Sequence, residues 1–477
     1  MEKRSLSDEG HKLTASRERL NAYIFNELLG EKVMRRVKRW GVLQLTVLVL
    51  LTSLFQVGNL NVAQAQTGPD VEAEAAILLD FETGRILYEK NADLTLPPAS
   101  MTKMMTEYII LSAIEEGKLS WDQETSISDY VYQISQNRSL SNVPLREDGT
   151  YTIKELYQAM AIYSANGASI ALAEAFAGSE TKFVEMMNQK AAEIGLPDYQ
   201  FVNVTGLNNS SLIGMHPEGT GPNDANMLSA RSTAMLAYRL ISDFPEVLDT
   251  ASIPTMTFRE GTSDAIDMIN WNKMLPGLGH EYEGVDGLKT GFTDLAGACF
   301  TGTAERNGTR LISVVMKTAD NDARFEETRK LLDYGFNSFE RQELFPAGYA
   351  PDEQQTVEVN KGKEGTVPVA TNAPLSVIVA KNEEAEEVYT PSFDISEQIV
   401  EAPAEKDTVV GKMNVSYTGE IDYGYIQGPD QSFGSVDIVT TAQVDKANWF
   451  VLGARAVGGF FVDLWNAIVS GIGGLFS

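Results

Sequence analysis

The sequence predicts an α+β fold: an antiparallel sheet with helices, followed by a small β-rich domain and a C-terminal amphipathic helix. Three observations predict it. Helical patterns interleave with hairpin patterns instead of alternating as β-α-β units, which favours antiparallel pairing. Beyond about residue 345 the texture changes to short alternating runs such as "TVEVN", "LSVIVA" and "SVDIVTT", broken by Gly, Pro and acidic turns. After Asn448, large apolar residues recur at three- and four-residue steps. A chain of 477 residues has room for two or three such units.

Taken in order, the chain opens with residues 1–33, an extension for which the untranslated reading has Met34 as the start, since Met34 directly precedes a basic stretch (Arg35, Arg36, Lys38, Arg39). That stretch leads into "GVLQLTVLVLLTSLF" and then "NVAQAQ", the charged, apolar and small-residue order of a secretory signal. Residues 34–65 read as a signal peptide cleaved after Ala65, with a permanent anchor as the alternative. The mature protein is expected at the outer face of the cytoplasmic membrane or in the wall.

Residues 70–340 read as the first folded domain. "AAILLDFETGRILYEK" (75–90) alternates about Thr83-Gly84 as a hairpin. "SMTKMMTEYIILSAIEEG" from Ser100 is a helix apolar on nearly every side, hence buried, with Gly117 as its C-terminal stop. "YTIKELYQAMAIYSANGASIALAEAF" (151–176) reads as two helical pieces broken at "SANG", and a further helix is expected over 228–241. Residues 285–316 contain three strand-like runs, the last two joined by Asn307-Gly308, a strong hairpin signal.

Residues 345–448 form the β-rich domain, whose 350–448 span holds eighteen acidic and six basic residues and no cluster suggesting catalysis; a spacer or docking role is expected. In 449–477, Phe461, Leu464, Trp465, Ile468, Ile472 and Leu475 make one apolar face. Asp463 and Arg455 count against a spanning helix, because a charge at mid-membrane costs roughly 2.5–3.5 kcal/mol or more. An amphipathic anchor lying in the membrane surface is the expectation.

Composition excludes several functions. The net charge of −28 argues against a nucleic-acid partner. Cys299 is the only cysteine, so no intrachain disulfide or Cys-rich metal site is available. His11, His216 and His280 have no zinc-peptidase spacing. No cofactor and no metal is expected. His216 reads as a loop residue and Cys299 as a buried apolar side chain.

The chemistry rests on three short motifs. Ser100 and Lys103 form S-x-x-K, so on a helix they share a face. Ser164 and Asn166 form S-x-N at a break between helices, and Lys289, Thr290 and Gly291 form K-T-G at a strand end. A serine hydroxyl needs a neighbouring base to become a nucleophile. Lys103 can be that base if burial and the second cation, Lys289, depress its pKa by roughly three units. Ser164 can relay a proton toward the leaving group, and Asn166 can hold Lys103 and a substrate amide. The strand edge at Lys289 can pair with an extended peptide, and Gly291 removes a side chain where that peptide must approach. The amides of Ser100 and Phe292 would face the developing oxyanion.

S-x-x-K, S-x-N and K-T-G, in this order, are the set shared by β-lactamases and penicillin-binding proteins. Residues 75–336 resemble the D-alanyl-D-alanine carboxypeptidases, the low-molecular-mass penicillin-binding proteins of bacilli and relatives. "PPASMTKMMTEY", "AIYSANGASIALAE", "EVLDTASIP", "VDGLKTGFTD" and "CFTGTAERNG" carry the resemblance. It implies a penicilloyl-serine transferase-like catalytic domain that removes the terminal D-alanine from peptidoglycan stem pentapeptides through an acyl-enzyme on Ser100. It also implies β-lactams as inhibitors, and Arg324, beside Thr290, as partner of the substrate's terminal carboxylate. Two departures stand out. Phe292 follows K-T-G where some relatives carry His, and Ser232 stands where relatives often carry Asp. The alternatives are a β-lactamase and a non-catalytic penicillin sensor or wall-binding protein. S-A-N in place of S-D-N argues against the first, and six intact motif side chains argue against the second.

Overall fold

The computed structural model describes residues 68–350, 355–395, 399–419, 422–427 and 435–453, with residues 21 and 30 besides. The expected signal peptide, the expected anchor beyond residue 453 and, apart from residues 21 and 30, the expected extension lie outside the described residues.

An antiparallel sheet forms the centre of the first domain. Its strands are β1 (Ala73–Asp80), β2 (Ile86–Lys90), β3 (Val285–Thr293), β4 (Gly297–Arg306) and β5 (Thr309–Thr318). Their order is β2-β1-β5-β4-β3, so the N-terminal hairpin pairs with the last strand, Ile77 opposite Val314. Asn307 and Gly308, both at positive φ, make the tight β4–β5 turn that their dipeptide predicted. β1 is apolar without alternation because both its faces are covered. Ile77 and Leu79 enter one core with the helices, while Ala76 and Leu78 enter another with Phe325, Leu331 and Leu332.

The helices are α1 (Lys103–Glu115), α2 (Asp129–Gln136), α3 (Ile153–Tyr163), α4 (Asn166–Ala177), α5 (Glu180–Glu193), α6 (Ala230–Asp243), α7 (Val247–Ala251) and α8 (Ala323–Ser338). Every residue of α1 from Lys103 to Leu111 is buried, as its all-round apolar pattern requires. Gly117, at φ 68°, follows its end in the left-handed conformation expected of a helix stop. α3 starts in a capping box, Thr152 and Glu155 each bonding the other's backbone amide. α8 packs on the sheet face opposite α1 and supplies Phe325, Leu331 and Leu332 to the second core.

One expectation is corrected. The helix does not begin at Ser100: Ala99–Thr102 form a 3₁₀ turn and the α-helix starts at Lys103. Pro97 and Pro98 supply no backbone donors, and a proline disfavours helical conformation in the residue before it, so the chain enters through a tighter turn. Ser100 therefore sits on the turn, half-buried, with Lys103 at the first position of the helix proper.

Beyond α8 the chain is β-rich. Phe339–Phe345 pairs with Leu375–Ala380, and a larger sheet runs in the order 389–394, 409–417, 436–440, 366–371, 356–360 and 399–401 among the described residues. Val357, Val369, Val377, Val410, Met413 and Ile438 form its core. This part touches the first domain directly. Residues 424–426 pair with 84–86 beside β2, through Ile86 N–H to the Gly424 carbonyl and Ile426 N–H to the Gly84 carbonyl, both 2.9 Å. Arg85 lies over the Tyr417 ring, and Arg341 forms an ion pair with the fully buried Asp80 at 3.0 Å.

Candidate active site

Three structural accidents of sequence bring the motif residues to one cleft. The proline-forced 3₁₀ turn delivers Ser100. Ser164 adopts the left-handed conformation (φ 58°), which ends α3 and lets Asn166 open α4 two residues later. β3 is the edge strand, bonded on one side to β4, and one of its faces lies against the 3₁₀ turn at Gly291. The approach there is close: a Cβ on Gly291 would overlap the Pro98 carbonyl oxygen, so only glycine fits. Ser100, Ser164, Asn166, Thr290, Phe292 and Arg324 all line the resulting cleft, which encloses about 220 Å³.

At its floor lies Lys103, with no exposed surface. Its Nζ has three partners: Ser100 Oγ at 3.0 Å, Asn166 Oδ1 at 2.9 Å and the Thr205 carbonyl at 2.6 Å. Burial, and then the nearby Lys289 ammonium, hold Lys103 well below the usual lysine range. Asn166 is oriented by its own amide, which donates from Nδ2 to the Ser141 carbonyl at 3.0 Å and so turns Oδ1 toward Lys103. Ser164 Oγ is buried and has no hydrogen-bond partner among the described residues, which leaves it available to a bound ligand.

Lys289 and Thr290 are almost wholly buried on β3, while the Phe292 side chain is half exposed at the cleft rim. Burial lowers the Lys289 pKa, and a buried carboxylate, Glu107, opposes that by favouring the ammonium form. Arg324 is no surface arginine: it is buried on α8, donates from Nη1 to the Gly291 carbonyl at 3.2 Å, and keeps Nε unpartnered. Burial brings it down to about 10. A buried, incompletely bonded guanidinium beside Thr290 is a ready receptor for a carboxylate.

Residue-level reasoning missed four participants. Glu107 lies one helical turn beyond Lys103 and is buried, its pKa raised by desolvation; an acid in an otherwise oily helix was the available signal. The Thr205 carbonyl carried no side-chain signal at all. Ser141 holds Asn166 through its backbone. Trp271 lines the cleft and is fixed by its indole N–H to the Tyr163 carbonyl at 3.0 Å. Elsewhere the readings are quiet. Ser232 is buried and its Oγ accepts from the Asp198 amide at 2.9 Å, a structural link. His216 sits in a loop bonded to Thr220, and Cys299 is buried in β4 with its thiol pushed up to about 11.

Comparison with known proteins now bears on this geometry. A family model described as D-alanyl-D-alanine carboxypeptidase matches residues 62–320. The chain belongs to that family. A second model, the C-terminal domain of penicillin-binding protein 5, matches residues 339–446. The chain is 31% identical over 350 residues to the D-alanyl-D-alanine carboxypeptidase DacF of Bacillus subtilis, covering 73% of this chain and 83% of that protein. It is 27% identical over 407 residues to DacA of Escherichia coli K12, covering 83% and 91%. Among solved structures, the peptidoglycan synthesis regulatory factor PBP3 from Streptococcus pneumoniae superposes with a TM-score of 0.71 at 36% identity, over 79% of this chain and all of that one. Penicillin-binding protein 5 from Haemophilus influenzae does so with a TM-score of 0.61 at 27% identity, over 80% and 99%. The α+β catalytic domain followed by a small β-rich domain is thus the family's fold.

Proposed function

We propose that this protein is a serine-type D-alanyl-D-alanine carboxypeptidase that removes the terminal D-alanine of peptidoglycan stem pentapeptides and is acylated by penicillin. The observation that carries the reading is the set of partners around Lys103. A neutral amine has two N–H bonds and one lone pair. Asn166 Oδ1 and the Thr205 carbonyl can only accept, so they take the two N–H groups, and the lone pair is left for the Ser100 hydroxyl.

From that arrangement the steps follow. Ser100 Oγ attacks the carbonyl carbon of the penultimate D-alanine while Lys103 takes its proton. The oxyanion forms against the amides of Ser100 and Phe292. As the C–N bond breaks, Lys103 returns the proton through Ser164 to the departing amine. Water then cleaves the ester, with Lys103 again as base. Arg324 and Thr290 hold the terminal carboxylate, the buried Lys289 ammonium favours its approach, and the edge of β3 at Gly291 pairs with the substrate backbone.

The test uses diacetyl-Lys-D-Ala-D-Ala, with released D-alanine assayed beside intact mass after penicillin. D-alanine release and a long-lived penicilloyl adduct, both absent in Ser100→Ala, are expected. Rapid penicillin turnover without D-alanine release would instead make the protein a β-lactamase, and an adduct without peptide cleavage a sensor.

The same reading places the protein outside the cytoplasm, exported by residues 34–65 and held at the membrane surface by 449–477. At the last described residues Asn448 Oδ1 accepts from the Val451 amide, capping a helical turn that leaves Trp449 and Phe450 80% and 70% exposed. Two aromatic rings in water at a helix start suit an interfacial anchor. No helix among the described residues is long and apolar enough to cross a membrane. The full chain should sediment with anionic vesicles and a chain ending at Asn448 should not; equal sedimentation would refute the anchor.

A further inference from the structure

Lys103 needs both of its acceptors in place for its lone pair to face Ser100, and one of them is a main-chain carbonyl in a loop no motif covers. Residues 202–207 contain no regular structure, yet nearly every polar group in them is bonded to a buried side chain. Asn203 Oδ1 accepts from the Thr205 amide (3.1 Å), the Thr205 hydroxyl (2.9 Å) and the Gly206 amide (2.8 Å). Its Nδ2 donates to the Leu207 carbonyl (2.7 Å) and Asn209 Oδ1 (3.0 Å). With five hydrogen bonds to its side-chain amide, Asn203 winds the loop around itself.

The loop is also tied to the nucleophile's turn. Asn226 accepts from the Val202 and Asn203 amides and donates to Thr102 Oγ1 at 2.8 Å, one residue before Lys103. Thr106 donates to the Val204 carbonyl and Glu180 accepts the Val204 amide, both 3.0 Å. Gly206, at φ 80°, lies so near the same turn that a Cβ there would overlap the Ala99 carbonyl. Asn203, Thr205, Asn209 and Asn226 are essentially without exposed surface. A buried loop bonded only for stability has no need to aim one carbonyl at the Lys103 amine.

We propose that residues 202–207 are a positioning element for the general base: Asn203 folds the loop and Asn226 ties it to the Ser100 turn, so that the Thr205 carbonyl takes one N–H of Lys103 and fixes its lone pair on Ser100. The proposal rests on Lys103 being the base. Losing this acceptor has two consequences. The plateau rate of acylation falls, because the lone pair is no longer aimed. The acid limb of acylation also moves to lower pH, because a carbonyl acceptor favours the ammonium form. The other charged groups facing Lys103, Glu107 on α1 and Lys289 on β3, are untouched.

The test measures penicillin acylation against pH in the full chain for Thr205→Val, which removes the hydroxyl bonded to Asn203 and to the Leu207 amide, and for Asn203→Leu, which stays uncharged, nearly keeps the volume and loses the side-chain bonds that fold the loop. Expected in each is a plateau at least tenfold lower with the acid limb displaced by about half a unit or more toward acid, and an unchanged affinity of the initial complex. Wild-type rate and limb in either folded variant would overturn the proposal, and so would a fall in rate with the limb unmoved. If one variant loses its cooperative thermal transition, the other decides by the same criterion. Failure of the underlying reading looks different: wild-type protein would form no adduct, or Lys103→Gln would still form it.

Discussion

At the scale of single residues, the decisive feature is that burial and a neighbouring cation push a lysine toward its uncharged form. Desolvation depresses the folded pKa of Lys103, the neighbouring Lys289 adds to that, and Glu107 partly opposes both. The linkage has a definite sign. Between its folded pKa and its unfolded value near 10.4, Lys103 binds a proton in the unfolded chain and none in the native one. Stability therefore rises with pH across that window, by at most about 1.4 kcal/mol per unit for this group. Lys103→Met removes the dependence. Urea unfolding of the two proteins from pH 6 to 9 should show wild type gaining on the variant as pH rises; parallel curves would mean that Lys103 is charged in the folded protein. The cost at neutral pH is the counterpart of catalysis, since a lysine charged in that pocket has no lone pair for Ser100.

At the scale of elements, the site depends on how closely β3 lies against the 3₁₀ turn. Gly291→Ala puts a methyl group into the Pro98 carbonyl. It should cost about 1–3 kcal/mol of stability through overpacking and cut penicillin acylation far more than stability alone explains. Thr152→Ala is the contrasting case. It opens the capping box of α3, remote from the cleft, and should cost about 1 kcal/mol while leaving acylation unchanged. Thermal unfolding and acylation rates of the two variants separate the roles; equal effects on acylation would show that β3 does not set the site's geometry. The elements themselves were legible to different degrees. The hairpins, the "SANG" break and the α3 start follow from turn and capping chemistry acting over four or five residues. Ser100's place on a 3₁₀ turn did not, because S-x-x-K spacing fits either helix type and the choice fell to the two prolines and the packing of Gly291.

Across the whole molecule, the β-rich part is more than an appended spacer in its contacts. Its 424–426 segment pairs beside the exposed edge of β2, and its first strand carries Arg341 to the buried Asp80. Desolvation raises the Asp80 pKa, with Arg341 and the Thr83 bonds pulling it back. Arg341→Ala leaves that carboxylate buried without its counter-ion, at a cost of roughly 2–4 kcal/mol. The loss should deepen as pH rises through the raised folded pKa of wild-type Asp80, because there the wild-type carboxylate ionises beside Arg341 while the variant's must do so unpaired. Urea unfolding at pH 4 and pH 7 checks this, and a deficit that shrinks with pH would sink it.

What the sequence determined by itself is whatever local chemistry can encode. Three short motifs picked out the side chains proposed as nucleophile, base and relay and the strand edge beside them, and apolar periodicity marked α1 as buried. What only the tertiary structure decided is the set of groups that reach the site from far along the chain through their backbone or through burial. The Thr205 and Ser141 carbonyls are invisible to side-chain patterns, because every residue has one and only the fold aims it. Glu107 and Arg324 are ordinary charged residues in sequence, and they become part of the site because packing removes the water that would otherwise screen them.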